Sequence, residues 1–537
     1  MVEQISAATL IEWLADEDEI AVLDAREQGV FFDSHLFHAG CIPLSSLELQ
    51  LPRLVPRLDT RIVWCDAGPD SPGLADRAAS TAADLGYANC HVLQGGTAGW
   101  AANGGELYAG VNVPSKAFGE HVEHAYDTPR IAADELKAMI DDGTNIVVLD
   151  SRPMGEYRRM SIPTGIDCPG AELVHRVKQV VTDPETLIVV NCAGRTRSII
   201  GTQSLINAGV ENRVVALENG TMGWELAGFE VARGHETHAP DPATEAQEWS
   251  VAAAADVGAR FGVTEIDTAE LADWRADTSR TTYVLDVRTP EEFSEGHIDG
   301  SISAPGGQLV QATDEYVATR KARLVLVDDN GVRATMTASW LRQLGWSHTF
   351  VLAGGIAAFT AAGNSLKTGP GERQSVPAAP MIKVNDLASR LEAEGDAISV
   401  LDIGTSLKYR NRGHIPGAWW GVRSRLDQAR ATIGETEVLV ITSTDGQLAK
   451  LAVSEAAALW PNAEVLALAS GNKGWRHAGF DMEPGFDRAT TDANDVWYKP
   501  YDHEGDVVEQ HMRDYLTWEI ALVEQLDRDP TVTFPTF

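Results

Sequence analysis

The chain has 537 residues, 44% of them hydrophobic, with 43 Lys and Arg against 78 Asp and Glu and a formal net charge of −35. That length supplies several cores of ordinary domain size, and so acidic a surface repels phosphate backbones and anionic lipid, which argues against nucleic acid or membrane as partners. No apolar run approaches the roughly 20 residues needed to span a bilayer, and the acidic start does not read as a signal peptide.

In chain order, a first unit over residues 1–110 contains the strand-like run IAVLDAR ending at Asp24, a loop CDAGPDS led by Cys65, and the closing stretch LQGGTAGW up to Trp100. A short connector with Pro114 and Pro129 leads to a second unit, 127–235. Its landmarks are IVVLDSR with Asp150 and Arg152, IDCPGAEL with Cys168, and residues 186–209, TLIVVNCAGRTRSIIGTQSLINAG. Residues 236–262 open with Pro and acid and turn Ala-rich, which reads as a linker carrying one helix. The third unit, 263–365, has YVLDVR with Asp286, GHIDG at 296–300, a loop beginning at Asp328 with Arg333 behind it, and LAGGIAAF at 352–359. A Pro/Gly linker, 366–380, leads to the fourth unit, 381–485, with ISVLDIG at Asp402, GHIPG at 413–417 and a loop at Thr442 and Ser443 that no arginine follows. The tail, 486–537, places Val508, Met512, Tyr515, Leu516, Leu522, Val523 and Leu526 near one face at helical spacing over 506–529. That pattern predicts a helix docked on the body beside Trp497, Tyr498 and Tyr501, the alternative being a helix that binds a partner.

Loop starts read at Cys65, Cys192, Asp328 and Thr442 lie 40 to 42 residues beyond the four aspartates, and a Gly turn with an aromatic closes each unit at Trp100, Trp224, Phe359 or Trp475. A register held across four segments is a repeat, and its period fits one small domain per unit rather than a solenoid. Within each unit, β-branched runs alternate with helical stretches such as ADELKAMIDDG. The fold expected is therefore α/β: four small parallel sheets, each with helices on both faces, plus a helical tail.

The second unit carries the candidate chemistry. Residues 187–190 are an apolar strand, Cys192 stands where it ends, residues 193–198 form a tight loop, and a helix is expected from about Ile199. Loop N–H groups and a helix N-terminus around a thiol favour the thiolate, and Arg195 and Arg197 add positive charge for an anionic substrate. The other loops are weaker. Asp66 and Asp70 set negative charge beside Cys65; unit three has Asp328 for a thiol, and unit four only hydroxyls. Cys168 is either a buried apolar thiol, the preferred reading, or a second thiol near Cys192. Five cysteines without a framework spacing point to free thiols in a reducing cytoplasm. No Cys/His cluster has zinc spacing, so neither metal nor cofactor is expected.

These landmarks — Asp-x-Arg, G-H-I-x-G, the Cys-led loop and L-x-G-G-x-x-x-W — resemble the rhodanese family of sulfurtransferases in four tandem copies, to about residue 485. The resemblance implies a Cys192 persulfide mechanism. A small donor such as thiosulfate or mercaptopyruvate would supply sulfur, and cyanide, a thiol or a protein would accept it. The cradle would be Ala193, Gly194, Arg195, Thr196, Arg197 and Ser198, with Arg195 or Arg197 holding the donor's anionic end. In the family the pair matching Asp150 and Arg152 supports the loop from behind. A phosphatase loop of this fold is C-x5-R; here Ser198 stands at the sixth position and Arg197 at the fifth, which resembles the sulfurtransferase loop. Two departures touch the thiosulfate preference: Glu156 stands where two-domain relatives often place a substrate arginine, with Arg158 and Arg159 nearby, and unit two has RMSIPTG in place of G-H-I-x-G. The alternative is a non-catalytic scaffold or sulfane-sulfur sensor. The oligomeric expectation is a monomer or homodimer.

Overall fold

The structure, a computed structural model, describes residues 2–71, 73–372 and 374–537. Four parallel five-stranded sheets follow one another along the chain. The first contains β1 (Glu3–Ile5), β2 (Ile20–Asp24), β3 (Ala39–Cys41), β4 (Arg61–Cys65) and β5 (Cys90–Leu93). The second contains β6 (Arg130–Ile131), β7 (Ile146–Asp150), β8 (Ile166–Asp167), β9 (Leu187–Asn191) and β10 (Val214–Leu217). The third contains β11 (Thr264–Ile266), β12 (Thr282–Asp286), β13 (Ile302–Ser303), β14 (Arg323–Val327) and β15 (Thr349–Leu352). The fourth contains β16 (Met381–Ile382), β17 (Ile398–Asp402), β18 (Trp419–Trp420), β19 (Val438–Thr442) and β20 (Glu464–Leu468). Each sheet has the same order, first strand, fifth, fourth, second, third, the α/β class read from the repeats.

The central strands are continuous apolar runs because helices cover both faces. In unit two, Ile188 and Val190 of β9 face one core with Leu149, Leu173 and Leu205, while Leu187 and Val189 face another with Leu136, Val215 and Trp224. The same two-faced arrangement occurs in the other units.

Units two and three are fused through their cores. Ile199 and Ile200 pack in one cluster with Leu285, Leu309 and Trp340, and Val332 and Met336 join the cluster of Leu173 and Val174. The linker helix Thr244–Arg260 seals this junction with Ala253, Ala254 and Val257.

The short connector is largely a 14-residue helix, Val113–Tyr126, with Pro114 in its first turn, where a missing N–H costs nothing. It buries Phe118 and Val122 in the junction core. The C-terminal helix Val507–Arg528 docks on the body as expected, burying Met512, Leu516, Glu519 and Leu522. Trp497 stacks near both Phe32 and Tyr515, and Tyr501 packs in the same cluster as Met512 and Leu516. Among the described residues no helix is long and apolar enough to cross a membrane.

Candidate active site

Sheet register fixes which residue opens each loop. Asp24, Asp150, Asp286 and Asp402 pair with Cys65, Asn191, Val327 and Thr442, the last residues of the neighbouring strands. The loop position is one residue further on. There the carbonyls of Asp66, Cys192, Asp328 and Ser443 accept N–H bonds from Thr97, Thr221, Ile356 and Asn472, at 2.8 to 2.9 Å. This corrects the reading of Cys65 and Thr442 as loop residues: the counterparts of Cys192 are Asp66, Asp328 and Ser443. Cys65 belongs to a buried core cluster of unit one. Burial, helped by the Asp24 charge, pushes its thiol well above the ordinary range. Cys168 is likewise fully buried in the core of unit two, and burial raises its thiol too.

Cys192 is 2% exposed at the end of β9. The helix after it begins at Thr196 and runs to Asn207, three residues earlier than expected, so Arg197 and Ser198 lie in its first turn, whose N–H groups have no intrahelical partner. The Cys192 Sγ lies 3.5 Å from Ser198 Oγ, which donates to the Arg195 carbonyl at 2.8 Å. Behind the loop, Thr221 N–H and Met222 N–H donate to the carbonyls of Cys192 and Ala193 at 2.8 and 3.0 Å. That approach requires Gly220: its φ is +54°, and a Cβ there would sit 2.4 Å from the Cys192 carbonyl oxygen. The Gly turns read from sequence therefore brace the loop from below.

Arg152 grips Asp150 with Nε at 2.8 Å and Nη2 at 2.7 Å, and the same Nη2 donates to the Met160 carbonyl. Asn191 Nδ2 donates at 2.8 Å to Asp150 Oδ2, the oxygen that also accepts from Arg152 Nη2. Arg26 and Arg288 repeat this clamp on Asp24 and Asp286. In unit four Gly404 replaces the arginine, and among the described residues Asp402 accepts from Gly404 N–H and Asn472 Nδ2. Burial then lifts its carboxyl to about 6, against those two hydrogen bonds.

The two loop arginines face opposite ways. Arg195 is held by Glu120 and Glu123 of the connector helix. Arg197 turns to Glu156 at 2.8 Å and to Gln308 of unit three at 3.0 Å. Arg158 pairs with Glu236, and Arg159 donates to the Tyr501 carbonyl, so neither joins Arg197.

The C-terminal helix covers the outer side of the loop: a Cβ on Gly194 would meet Glu519 Oε2 at 3.1 Å and Tyr515 Cε1 at 3.2 Å. Glu519, fully buried, takes Lys116 at 3.1 Å, Tyr515 at 3.0 Å and the Thr196 hydroxyl at 3.3 Å. Sequence reading missed Lys116, Glu120, Gln308 and Glu519, because each comes from an element outside the unit whose loop it supports. The signal open to it was the connector's Pro-led amphipathic run.

Units one and three show what fills a loop without a thiol. The Asp66 carboxylate accepts N–H bonds from Gly68 and Ala75, and the Asp328 carboxylate from Gly331 and Ala334, at 2.7 to 3.1 Å. A resident anion already occupies the donors that a bound or covalent anion would use in unit two. Among the described residues no group of three or more His, Cys, Asp or Glu is placed to hold a metal.

The family model for the rhodanese-like domain matches residues 6–103, 132–227 and 267–362, more than half of the chain. The chain belongs to the rhodanese family. The fourth sheet lies outside those matches but has the same rhodanese strand order. The chain is similar over its whole length to the crystal structure of thiosulfate sulfurtransferase from Pseudomonas aeruginosa, with 44% identity, 99% of each chain covered and a TM-score of 0.93. A shorter likeness, 29% identity over 123 residues, joins it to an HTH-type transcriptional regulator of Mycobacterium tuberculosis, covering 21% of this chain and 54% of that protein. The chain thus spans about half the length of that curated relative. The BH2092 protein of Bacillus halodurans matches 21% of this chain at 23% identity and a TM-score of 0.19, covering 81% of its own chain.

Proposed function

We propose that this rhodanese is a sulfurtransferase whose single working site is Cys192. The Cys192 thiolate attacks the outer sulfur of a sulfane donor, the donor's S–S bond breaks, and a Cys192 persulfide remains. A nucleophile such as cyanide, a thiol or a protein thiol then takes the outer sulfur and returns the thiolate. The observation that carries this reading is that, of four equivalent loop positions, only Cys192 supplies a sulfur, while Asp66, Asp328 and Ser443, whose side chains accept loop or helix N–H bonds there, cannot carry one.

Fixed N–H groups from the loop and the first turn of the helix stabilise negative charge on the persulfide without reorganising. A rotation of the Ser198 hydroxyl away from the Arg195 carbonyl would supply one more donor. Arg197 is the cation for the donor's anionic end, since Arg195 is consumed by two glutamates. Asp150 and Arg152, gripping each other behind β9, position the loop and do not touch substrate. The full-length likeness to a thiosulfate sulfurtransferase supports the same chemistry, and five unpaired thiols suit a reducing cytoplasm.

The test is persulfide loading followed by release. Purified protein treated with a sulfane donor should gain one sulfur at Cys192 by mass spectrometry and lose it on adding cyanide or a thiol. Loading without release would select the sensor reading instead.

A further inference from the structure

Unit three offers an internal reference for the charge beside Cys192. Arg333, the counterpart of Arg197, is held by three carboxylates: Glu292 at 2.8 Å, Glu172 of unit two at 2.9 Å and Asp329 at 3.0 Å. Around Arg197 the residues matching Glu172 and Asp329 are Gln308 of unit three and Ala193, so two of the three acids are gone. The third remains as Glu156. Burial alone would raise its carboxyl, but the Arg197 charge and hydrogen bonds outweigh that and hold it at about 2. Arginine and glutamate occur together in these two units. Units one and four have Leu74 with Val30 and Leu448 with Lys408 at the matching places, and neither member of the pair.

The other cations beside the loop are also matched, Arg195 by Glu120 and Glu123 and Lys116 by Glu519. Arg130 shares Glu123, so four cations face four carboxylates and each of these cations already has a carboxylate partner before Cys192 contributes any charge. Arg197, at 10% exposure, is open enough to meet a ligand where Arg333, at 2%, is not.

We infer that Glu156 is a specificity-determining residue: by neutralising Arg197 it selects sulfane donors carrying a single negative charge, such as a persulfide or a thiosulfonate, over dianionic thiosulfate. This rests on the sulfur transfer proposed above. A donor anion that reaches Arg197 also comes close to the Glu156 carboxylate, which is 39% exposed at the rim of the site, and near a protein surface each extra like charge is still repelled more strongly than in bulk water. Methanethiosulfonate and thiosulfate make a matched pair, differing by a methyl in place of one oxide. With the first, the Cys192 thiolate bonds to the terminal sulfur as the donor S–S bond breaks, and methanesulfinate leaves with the electron pair. With the second, sulfite leaves in the same way.

The experiment measures kcat and KM for both donors at a fixed thiol acceptor in the full-length protein, Glu156→Gln and Glu156→Asp. The native protein should favour methanethiosulfonate in kcat/KM by about tenfold or more. Glu156→Gln should shift the ratio at least fivefold toward thiosulfate, chiefly through a lower thiosulfate KM, and Glu156→Asp, which keeps the charge, should hold the native ratio. A native preference for thiosulfate, or equal losses with both donors in Glu156→Gln and Glu156→Asp, would overturn the inference and leave the Cys192 persulfide standing. Failure of any donor to load Cys192 would instead sink the sulfur-transfer reading itself.

Discussion

Units two and three are the same device with one atom type exchanged. Each has the aspartate–arginine clamp, the braced loop, and an arginine in the first turn of the following helix that reaches across the junction to its neighbour, Arg197 to Gln308 and Arg333 to Glu172. In unit three a carboxylate occupies the ring of loop donors and three acids saturate the arginine; in unit two a thiol takes that place and one acid remains. The scaffold therefore does not make the chemistry. What a loop can do follows from what its first residue leaves unfilled. The largest expected effect tests this directly. Cys192→Ser should abolish sulfur transfer in any thiosulfate or thiosulfonate assay, while Cys65→Ser, which alters only a strand end in a core, should keep most of it. Adding Asp328→Cys to Cys192→Ser sharpens the comparison: the new thiol should react with iodoacetamide but not turn over, because Arg333 is buried and held by three carboxylates. Restored turnover would mean that the thiol alone suffices.

A smaller effect is expected at the arginine. Arg197→Ala should lower donor turnover by about tenfold to a hundredfold, since a charge-assisted contact contributes about 1.5–3 kcal/mol. It also leaves Glu156 without its partner beside the thiol, so alkylation of Cys192 by iodoacetamide near neutral pH should slow. An unchanged alkylation profile would show that the loop N–H groups and helix terminus set the thiolate without Arg197.

Most of the fold was legible because its signals are local. β-branched runs alternating with helical stretches, the four aspartates and the glycine turns all lie within single units, and they predicted four parallel sheets. The loop register slipped in units one and four because a cysteine and a threonine looked more chemical than the residues after them. Counting to Asp66, Cys192, Asp328 and Ser443 gives spacings of 42 in three units and 41 in the fourth, more uniform than the spacing to Cys65 and Thr442. What could not be read was the surroundings of the loop. Lys116, Gln308 and Glu519 come from a connector, another unit and the tail, and such contacts are set by how units pack rather than by spacing along the chain. They also make unit three and the tail part of the support around the loop. A chain cut near residue 240 loses Gln308, Glu519 and the apolar faces against Ile199 and Ile200, so exposed core surface should make it aggregate. A soluble, active fragment would show that the junction is dispensable.

The smallest effect compares the clamps of units two and four. Asp150 keeps Arg152, whereas Asp402 accepts from two neutral donors and its carboxyl is lifted to about 6. A buried acid whose folded pKa lies above its unfolded value of about 3.9 favours folding most when protonated. The unfolded chain sheds the proton first as pH rises, so this group's stabilising contribution falls between about pH 4 and 6 and is flat above that. Asp402→Asn removes the titration. The stability of this variant relative to the native protein should therefore climb across that window by at most about 2–3 kcal/mol, since each tenfold difference in proton affinity between the folded and unfolded chain is worth about 1.36 kcal/mol, and then level off. Denaturant unfolding of both proteins at pH 4, 5, 6 and 7 reads the difference directly. A parallel pair of curves would mean that Asp402 stays ionised throughout, with its backbone and amide donors doing for it what Arg152 does for Asp150.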